Sequence, residues 1–208
     1  MNIAIIGWGS LIWSTRTLRI RTRWKLDGPT LPVEFARIST NGRLTLVLNP
    51  GSGLQRTYWA ISEMENLEDA RKNLRFRERC KIQSIHHFSR EECDFVGEVH
   101  PEIRERIKIW MAKKIGLEAV VWTGLESNWN EKRHREFSPH DAVGYVKELW
   151  EKARAFDRTR EYIRNAPPQI QTTVREFLKN ELMWIDSPLA GTIFEPEVAP
   201  DKIKRSES

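Results

Sequence analysis

The sequence predicts an α+β fold: a core of mostly antiparallel strands followed by a run of helices. Three observations carry this. Short apolar runs bounded by Gly, Pro, Asn and Ser recur through the first 125 residues, which is the mark of strands joined by tight turns. Two stretches of that region, from Leu67 and from Pro101, space their apolar residues three and four apart, as one buried helix face requires. Beyond Ser138 only the helical spacing remains.

The expected strands are Ile3–Ile6, Leu18–Trp24, Val33–Ile38, Leu44–Leu48, Thr57–Ile61, Phe95–Val99 and Ala119–Trp122. Asn41-Gly42, between two of them, signals a two-residue hairpin loop, and Asn49-Pro50-Gly51-Ser52-Gly53 is a loop. Leu67, Ala70 and Leu74 mark one helix, with Glu68 and Asp69 at its positive end. Ile103, Ile107, Trp110 and Met111 mark a second, opened by Pro101 and closed before Gly116. Thr123 to His134 is polar and reads as a loop. Ser138 then caps a helix with Pro139 in its first turn and a stripe of Ala142, Val146, Leu149, Trp150 and Ala153. Another helix is expected from Thr159 to Asn165, before Pro167-Pro168, and a last one carries Ile170, Val174, Phe177, Leu178 and Met183. The expected organisation is a core over residues 1–125, a helical extension over 126–194 docked on it, and a charged tail over 195–208 that frays.

Composition narrows the class. The 34 basic and 29 acidic residues leave a net charge of +5 with the two signs interspersed, so nucleic acid is not the expected partner. The clearest basic feature is Arg19, Arg21, Arg23 and Lys25, which strand alternation would put on one face. That pattern fits a solvated edge strand guarded by charge, and it also fits a surface for an acidic partner. Nine tryptophans spread over the chain read as packing anchors for several elements. No apolar run reaches membrane-spanning length. Met1-Asn2 leads into a strand without a basic leader, and only Cys80 and Cys93 are present, which together predict a cytoplasmic protein with both thiols free. Cys80, His86, His87 and Cys93 lie close in sequence but lack the short clamps of a structural zinc site; no metal or cofactor is expected.

The most informative segment is Gly7-Trp8-Gly9-Ser10-Leu11-Ile12-Trp13, directly after the first strand. A dinucleotide turn would need a third glycine at Ile12. A nucleophile elbow would need glycines at Trp8 and Ile12. A phosphate loop would need Gly-Lys-Ser or Gly-Lys-Thr. What remains is either a plain strand-ending turn or a nest of backbone amides that holds an anion or a carbonyl. Glycines there admit φ > 0 or the close approach of a ligand.

This segment resembles the N-terminal motif of the gamma-glutamylcyclotransferase-like superfamily, whose glutathione-degrading branch carries Gly-Tyr-Gly-Ser-Leu-Ile-Trp; here Trp8 stands in the tyrosine position. The resemblance covers roughly residues 1–125. It implies a small mixed, mostly antiparallel β-barrel, with Gly7, Trp8, Gly9, Ser10, Leu11 and Ile12 binding a gamma-glutamyl or related carboxylate substrate. It also implies an acidic residue downstream of a later strand. Arg77-Glu78-Arg79 matches the Arg-Glu of that branch, so the resemblance gives Glu78 the role of catalytic acid/base; a surface carboxylate paired with Arg77 or Arg79 is the competing reading. Cys80-Lys81 departs from the glycines and tyrosine that often follow, and no tyrosine occurs between Tyr58 and Tyr145, which leaves a tyrosine contact to substrate unfilled. The implied reaction releases 5-oxoproline and needs no cofactor. A non-catalytic binder of a small carboxylate or of an acidic macromolecule is the alternative. The helices after Ser138 are extra to that fold and are expected to shape the cavity mouth.

Overall fold

The computed structural model describes residues 1–182. The expectations for Met183, Trp184 and the tail from Glu195 concern residues outside that range. The fold is mixed α+β, with its strands in two sheets. Five strands pair in the order β5 (Tyr58–Ile61), β1 (Ile3–Gly7), β8 (Ala119–Thr123), β6 (Ile85–Ser89), β7 (Asp94–Val96). Three more pair in the order β3 (Leu44–Leu48), β2 (Thr30–Ile38), β4 (Leu54–Arg56). Every pairing is antiparallel except β1 with β8, whose register sets Ile3 beside Ala119. Among the described residues the pairing does not close into the expected barrel.

The strand period explains the layers. All five residues of β1 are buried, because both faces of its sheet are covered. Ile3 and Ile5 join one apolar cluster with Leu11, Trp24, Ala70, Leu74 and Val121. Ala4 and Ile6 point the other way, into a larger cluster with Phe35, Leu46, Val120 and Trp122, as alternation along a strand demands. Helix α1 (Leu67–Glu78) lies on the first face against β6 and β8. The three-stranded sheet lies on the second side. Packed on it are α2 (Pro101–Ala112), α3 (Trp129–Arg133), α4 (Pro139–Leu149), α5 (Ala153–Asn165) and α6 (Thr173–Leu182).

The helix signals hold where chemistry enforces them. Asn66 caps α1 by accepting from the Asp69 N–H at 2.9 Å, and Ser138 caps α4 by accepting from the Asp141 N–H at 3.1 Å. The α2 stripe of Ile103, Ile107, Trp110 and Met111 is buried as its spacing predicts. Glu34 is unforeseen. It is 1% exposed on β2, and its carboxylate accepts from the N–H of Phe35 at 2.7 Å and of Val174 at 3.4 Å. It thereby ties the N-terminus of α6 to the sheet. Burial pushes its pKa up, against the pull of the Thr172 hydroxyl and these amides.

Several expectations are corrected. Leu18–Trp24 is not a regular strand; it meets the edge of the large sheet through the isolated bridge Ile20–Ser62 and the Thr22 hydroxyl, which accepts from the Ile61 N–H at 3.0 Å, with a second bridge, Lys25–Trp59, just beyond it. Its alternation survives, with Leu18 and Trp24 buried and Arg19, Arg21, Arg23 and Lys25 exposed. The β2–β3 hairpin loop has three residues: the Gly42 N–H donates to Ser39, the Ser39 N–H donates to Arg43, and Gly42 takes φ +79, a type I turn closed by a left-handed residue. The Phe95 strand stops at Val96. β4, β6 and α3 fall in stretches read as loop or left unassigned. α5 begins at Ala153, before Thr159, and α6 begins at Thr173, after Ile170. Trp150 is 59% exposed, because α4 ends at Leu149 and the chain turns there.

Leu178 of α6 and Ile6 of β1 lie in one continuous apolar cluster, so sheets and helices should unfold together. Far-ultraviolet circular dichroism and tryptophan fluorescence should report a single coincident thermal transition. Leu178→Ala should lower the stability of the whole by about 2–5 kcal/mol; two separated transitions would show that the helices fold apart from the strands.

Candidate functional site

A cavity of about 690 Å³ opens where the end of β1, the β2–β3 hairpin, the end of α1 and helix α5 converge. Its wall includes Trp8, Gly9, Ser10 and Leu11 from the N-terminal turn and Glu78 from the last position of α1. Two of the expected substrate residues are not on it. Gly7 and Ile12 face the other way, where a Cβ on Gly7 would lie 3.1 Å from Ile12 and from Trp24. Neither Gly7 nor Gly9 has a positive φ, so both are needed for space rather than for a left-handed backbone.

The turn is built from its own amides. The Ile12 N–H donates to the Gly9 carbonyl at 3.0 Å, and the Ser14 N–H to the Ser10 carbonyl at 3.0 Å. The amides at the front of the turn, Gly9 and Leu11, have no backbone acceptor among the described residues. The turn itself thus uses the Ile12 N–H.

Arg77 joins this turn to Glu78. The apolar stripe of α1 runs Leu67, Ala70, Leu74, and its next position is Arg77. The guanidinium is therefore carried under the turn, where the residue is 6% exposed. One arm donates to the Ser10 carbonyl at 2.8 Å, the Ser10 hydroxyl at 3.2 Å and the Ser14 carbonyl at 2.6 Å. The other arm donates to Glu78 Oε1 at 2.8 Å. The Glu78 side chain is 18% exposed; it pairs with Arg77, as the competing reading has it, while also lining the cavity. Burial raises its pKa, and the charges of Arg77, Arg16 and Arg43 pull it back down. Arg79, directly after it, takes φ +54 and ends the helix. This left-handed conformation costs a non-glycine residue about 1–2 kcal/mol, and it lies beside the candidate carboxylate, where such strain tends to persist.

Among the described residues Glu78 is the one carboxylate on a wall that also carries Arg37, Arg43, Arg79 and Lys81. Arg37 is held by the Glu126 carbonyl at 2.6 Å. Such a wall favours an anion. Cys80 also lines the cavity, but burial and then the charge of Glu78 push its thiol up to about 11, so it is a neutral thiol near pH 7 and a poor nucleophile. Both cysteines are free. His86 and His87 are adjacent on β6. Among the described residues no three His, Cys, Asp or Glu side chains are grouped to hold a metal ion, and no helix is long and apolar enough to cross a membrane.

Tyr162 and Arg43 are site residues the sequence reading missed. Tyr162 of α5 reaches the cavity, so a tyrosine stands beside the turn although none occurs between Tyr58 and Tyr145 in sequence. Its oxygen would lie 2.6 Å from a Cβ on Gly9, which replaces ligand approach as the reason that position is glycine. The Arg43 guanidinium lies over its ring, 4.6 Å from the centroid. No local motif could have paired these groups. Arg77 did leave a signal, a cation on an otherwise apolar helical stripe.

Comparison with protein-family models, with curated proteins and with solved structures returns no match.

Arg77→Lys keeps a positive charge but cannot span the Ser10 and Ser14 carbonyls and Glu78 at once. It should cost about 2–4 kcal/mol of stability and loosen the turn, read as a lower melting temperature and faster amide exchange at Ile12 and Ser14. Unchanged exchange there would show that the turn stands without the guanidinium.

Proposed function

We propose that this chain is a gamma-glutamylcyclotransferase-like enzyme, releasing 5-oxoproline from a gamma-glutamyl amine or peptide, with Glu78 as the proton-transfer group. The single observation that carries the reading is that a shielded carboxylate with a raised pKa shares one cavity with the Trp8–Leu11 turn. In the reaction the substrate's α-nitrogen bonds to its own side-chain carbonyl carbon, and the bond from that carbon to the leaving nitrogen breaks. The α-ammonium loses two protons in becoming the lactam N–H, and the leaving nitrogen gains two in departing as an ammonium. One carboxylate that accepts and returns protons balances both halves, and such catalysis is worth roughly 10²–10⁴ in rate.

The remaining parts have candidates in the same cavity. Folding the substrate so that its amine meets its carbonyl is a matter of shape and anchoring, for which the cationic wall of Arg43, Arg79 and Lys81 offers carboxylate partners. Backbone N–H groups of the turn can support the developing oxyanion. Trp8, 6% exposed on the cavity wall, fills the position where the resembling family carries tyrosine; Trp8→Tyr should be tolerated or should shift substrate preference.

The test is release of 5-oxoproline from a panel of gamma-glutamyl amines and dipeptides. The wild type should turn over at least one of them, and Glu78→Gln should lose at least about 10² in turnover while still binding it. The base must be deprotonated and its pKa is raised by burial. Activity should therefore fall, on acidification, through an apparent pKa above the ordinary glutamate value of about 4.3. Unchanged turnover in Glu78→Gln would overturn the assignment. The cationic wall also supports a second reading, a non-catalytic binder of a small carboxylate. Saturable binding of glutamate or 5-oxoproline with no turnover of any substrate would favour that reading.

A further inference from the structure

Resting on that reading of the cavity, we propose that Tyr162 is a substrate-positioning residue. Its hydroxyl completes the donor set of the Gly9–Leu11 turn, and Gly9 is glycine to admit that hydroxyl. The site is then incomplete without α5, a helix outside the strand-rich part of the chain that carries the turn and Glu78.

Four observations converge on this. The Tyr162 side chain lines the cavity beside Gly9, Ser10 and Glu78. Its ring is fixed on several sides: Trp13 meets it edge-on at 5.1 Å and 71°, Phe35 at 6.3 Å and 82°, and the Arg43 guanidinium covers it at 4.6 Å. Such contacts leave the ring little room to turn, so the oxygen is held in place. The helix itself is registered on β3 by the Thr159 hydroxyl, which accepts from the Leu44 N–H at 3.2 Å across 115 residues of sequence. Finally, a methyl group on Gly9 would lie 2.6 Å from the phenol oxygen and 3.7 Å from the ring carbon that bears it. The hydroxyl therefore stands against the turn backbone itself.

The hydroxyl has the chemistry of a donor. Burial pushes its pKa up to about 12, with Arg43 and the Leu46 and Ser10 amides pulling the other way, so it keeps its proton throughout the working range. The Tyr145 hydroxyl donates to the Gly42 carbonyl at 2.6 Å; the Tyr162 hydroxyl donates to no acceptor among the described residues. A carbonyl or carboxylate oxygen seated against the turn would take that proton. A pre-oriented donor of this kind holds a substrate in its reactive fold at little cost in conformational entropy.

Two variants and one double variant test this. Tyr162→Phe keeps the ring, the Trp13 contact and the Arg43 stack but removes the hydroxyl. It should lower kcat/KM for a gamma-glutamyl substrate at least about tenfold, with the melting temperature nearly unchanged. Gly9→Ala should destabilise the protein, and Gly9→Ala combined with Tyr162→Phe should recover most of the lost melting temperature, because the clashing atom is gone. Calorimetric titration with glutarate, which has no amine to cyclise, reads the same contact without turnover. The wild type should bind it, and Tyr162→Phe should bind it at least about fivefold more weakly.

Equal glutarate affinity in wild type and Tyr162→Phe, or no glutarate binding by the wild type, overturns the proposal. Failure of the double variant to recover stability overturns the explanation of Gly9. Hydroxyl-dependent glutarate binding with no 5-oxoproline from any substrate overturns the reaction instead and leaves the role of Tyr162 standing.

Discussion

The interaction on which the rest depends is the Arg77 guanidinium under the N-terminal turn. Burying a cation this deeply is costly unless its charge is answered, and here its two terminal nitrogens donate to the Ser10 and Ser14 carbonyls and to Glu78. The same contacts bring the last turn of α1 against the end of β1, residues 67 apart in sequence. Position and electrostatics thus have one source: Arg77 orients the carboxylate it neutralises. Desolvation and the arginine act on Glu78 in opposite senses, and desolvation is the larger, which leaves the carboxylate more basic than one in water.

Around this link the cavity is assembled from parts with different jobs. The large sheet is covered on both faces, so β1 is a rigid rod that delivers the turn at a fixed place. The hairpin between β2 and β3 brings Arg43, and α5 brings Tyr162. These two stack on each other, so the hairpin and the helix position one another as well as the cavity. Glu34 does similar work further along, tying α6 to β2 through a buried carboxylate. The helical part is therefore structurally continuous with the cavity wall.

The local elements were legible because local physics decides them. Ile3 to Ile6 reads as a buried strand, and Pro101 and Ser138 start helices where capping and fixed φ predict. The Leu18–Trp24 segment shows the limit of such reading. Its alternation correctly predicted which side chains face solvent, but alternation alone does not supply a partner with matching register, and the segment pairs through an isolated bridge rather than a ladder. The short strands β4 and β6 lacked a clear signal: β4 is three residues long, and β6 reads Ile-His-His-Phe-Ser, with polar residues buried by neighbours distant in the chain. Trp150 fitted the stripe of α4 by spacing, yet the helix ends one residue earlier.

What the sequence by itself determined is the α+β class, most elements, the turn at Gly7 to Trp13, and the suspicion attached to Glu78. The first three follow from periodicity, capping and turn chemistry, which act over a few residues; the suspicion of Glu78 comes only from the resemblance. Only the tertiary structure decided which turn residues face the cavity. It separated Trp8, Gly9, Ser10 and Leu11 from Gly7 and Ile12, because the chain reverses inside the turn. It alone set Arg77 beneath the turn, divided the strands into two sheets, and brought Tyr162 to Gly9. Contacts between residues so far apart depend on how whole faces pack, and a linear pattern records which residues are apolar or charged but not which faces meet.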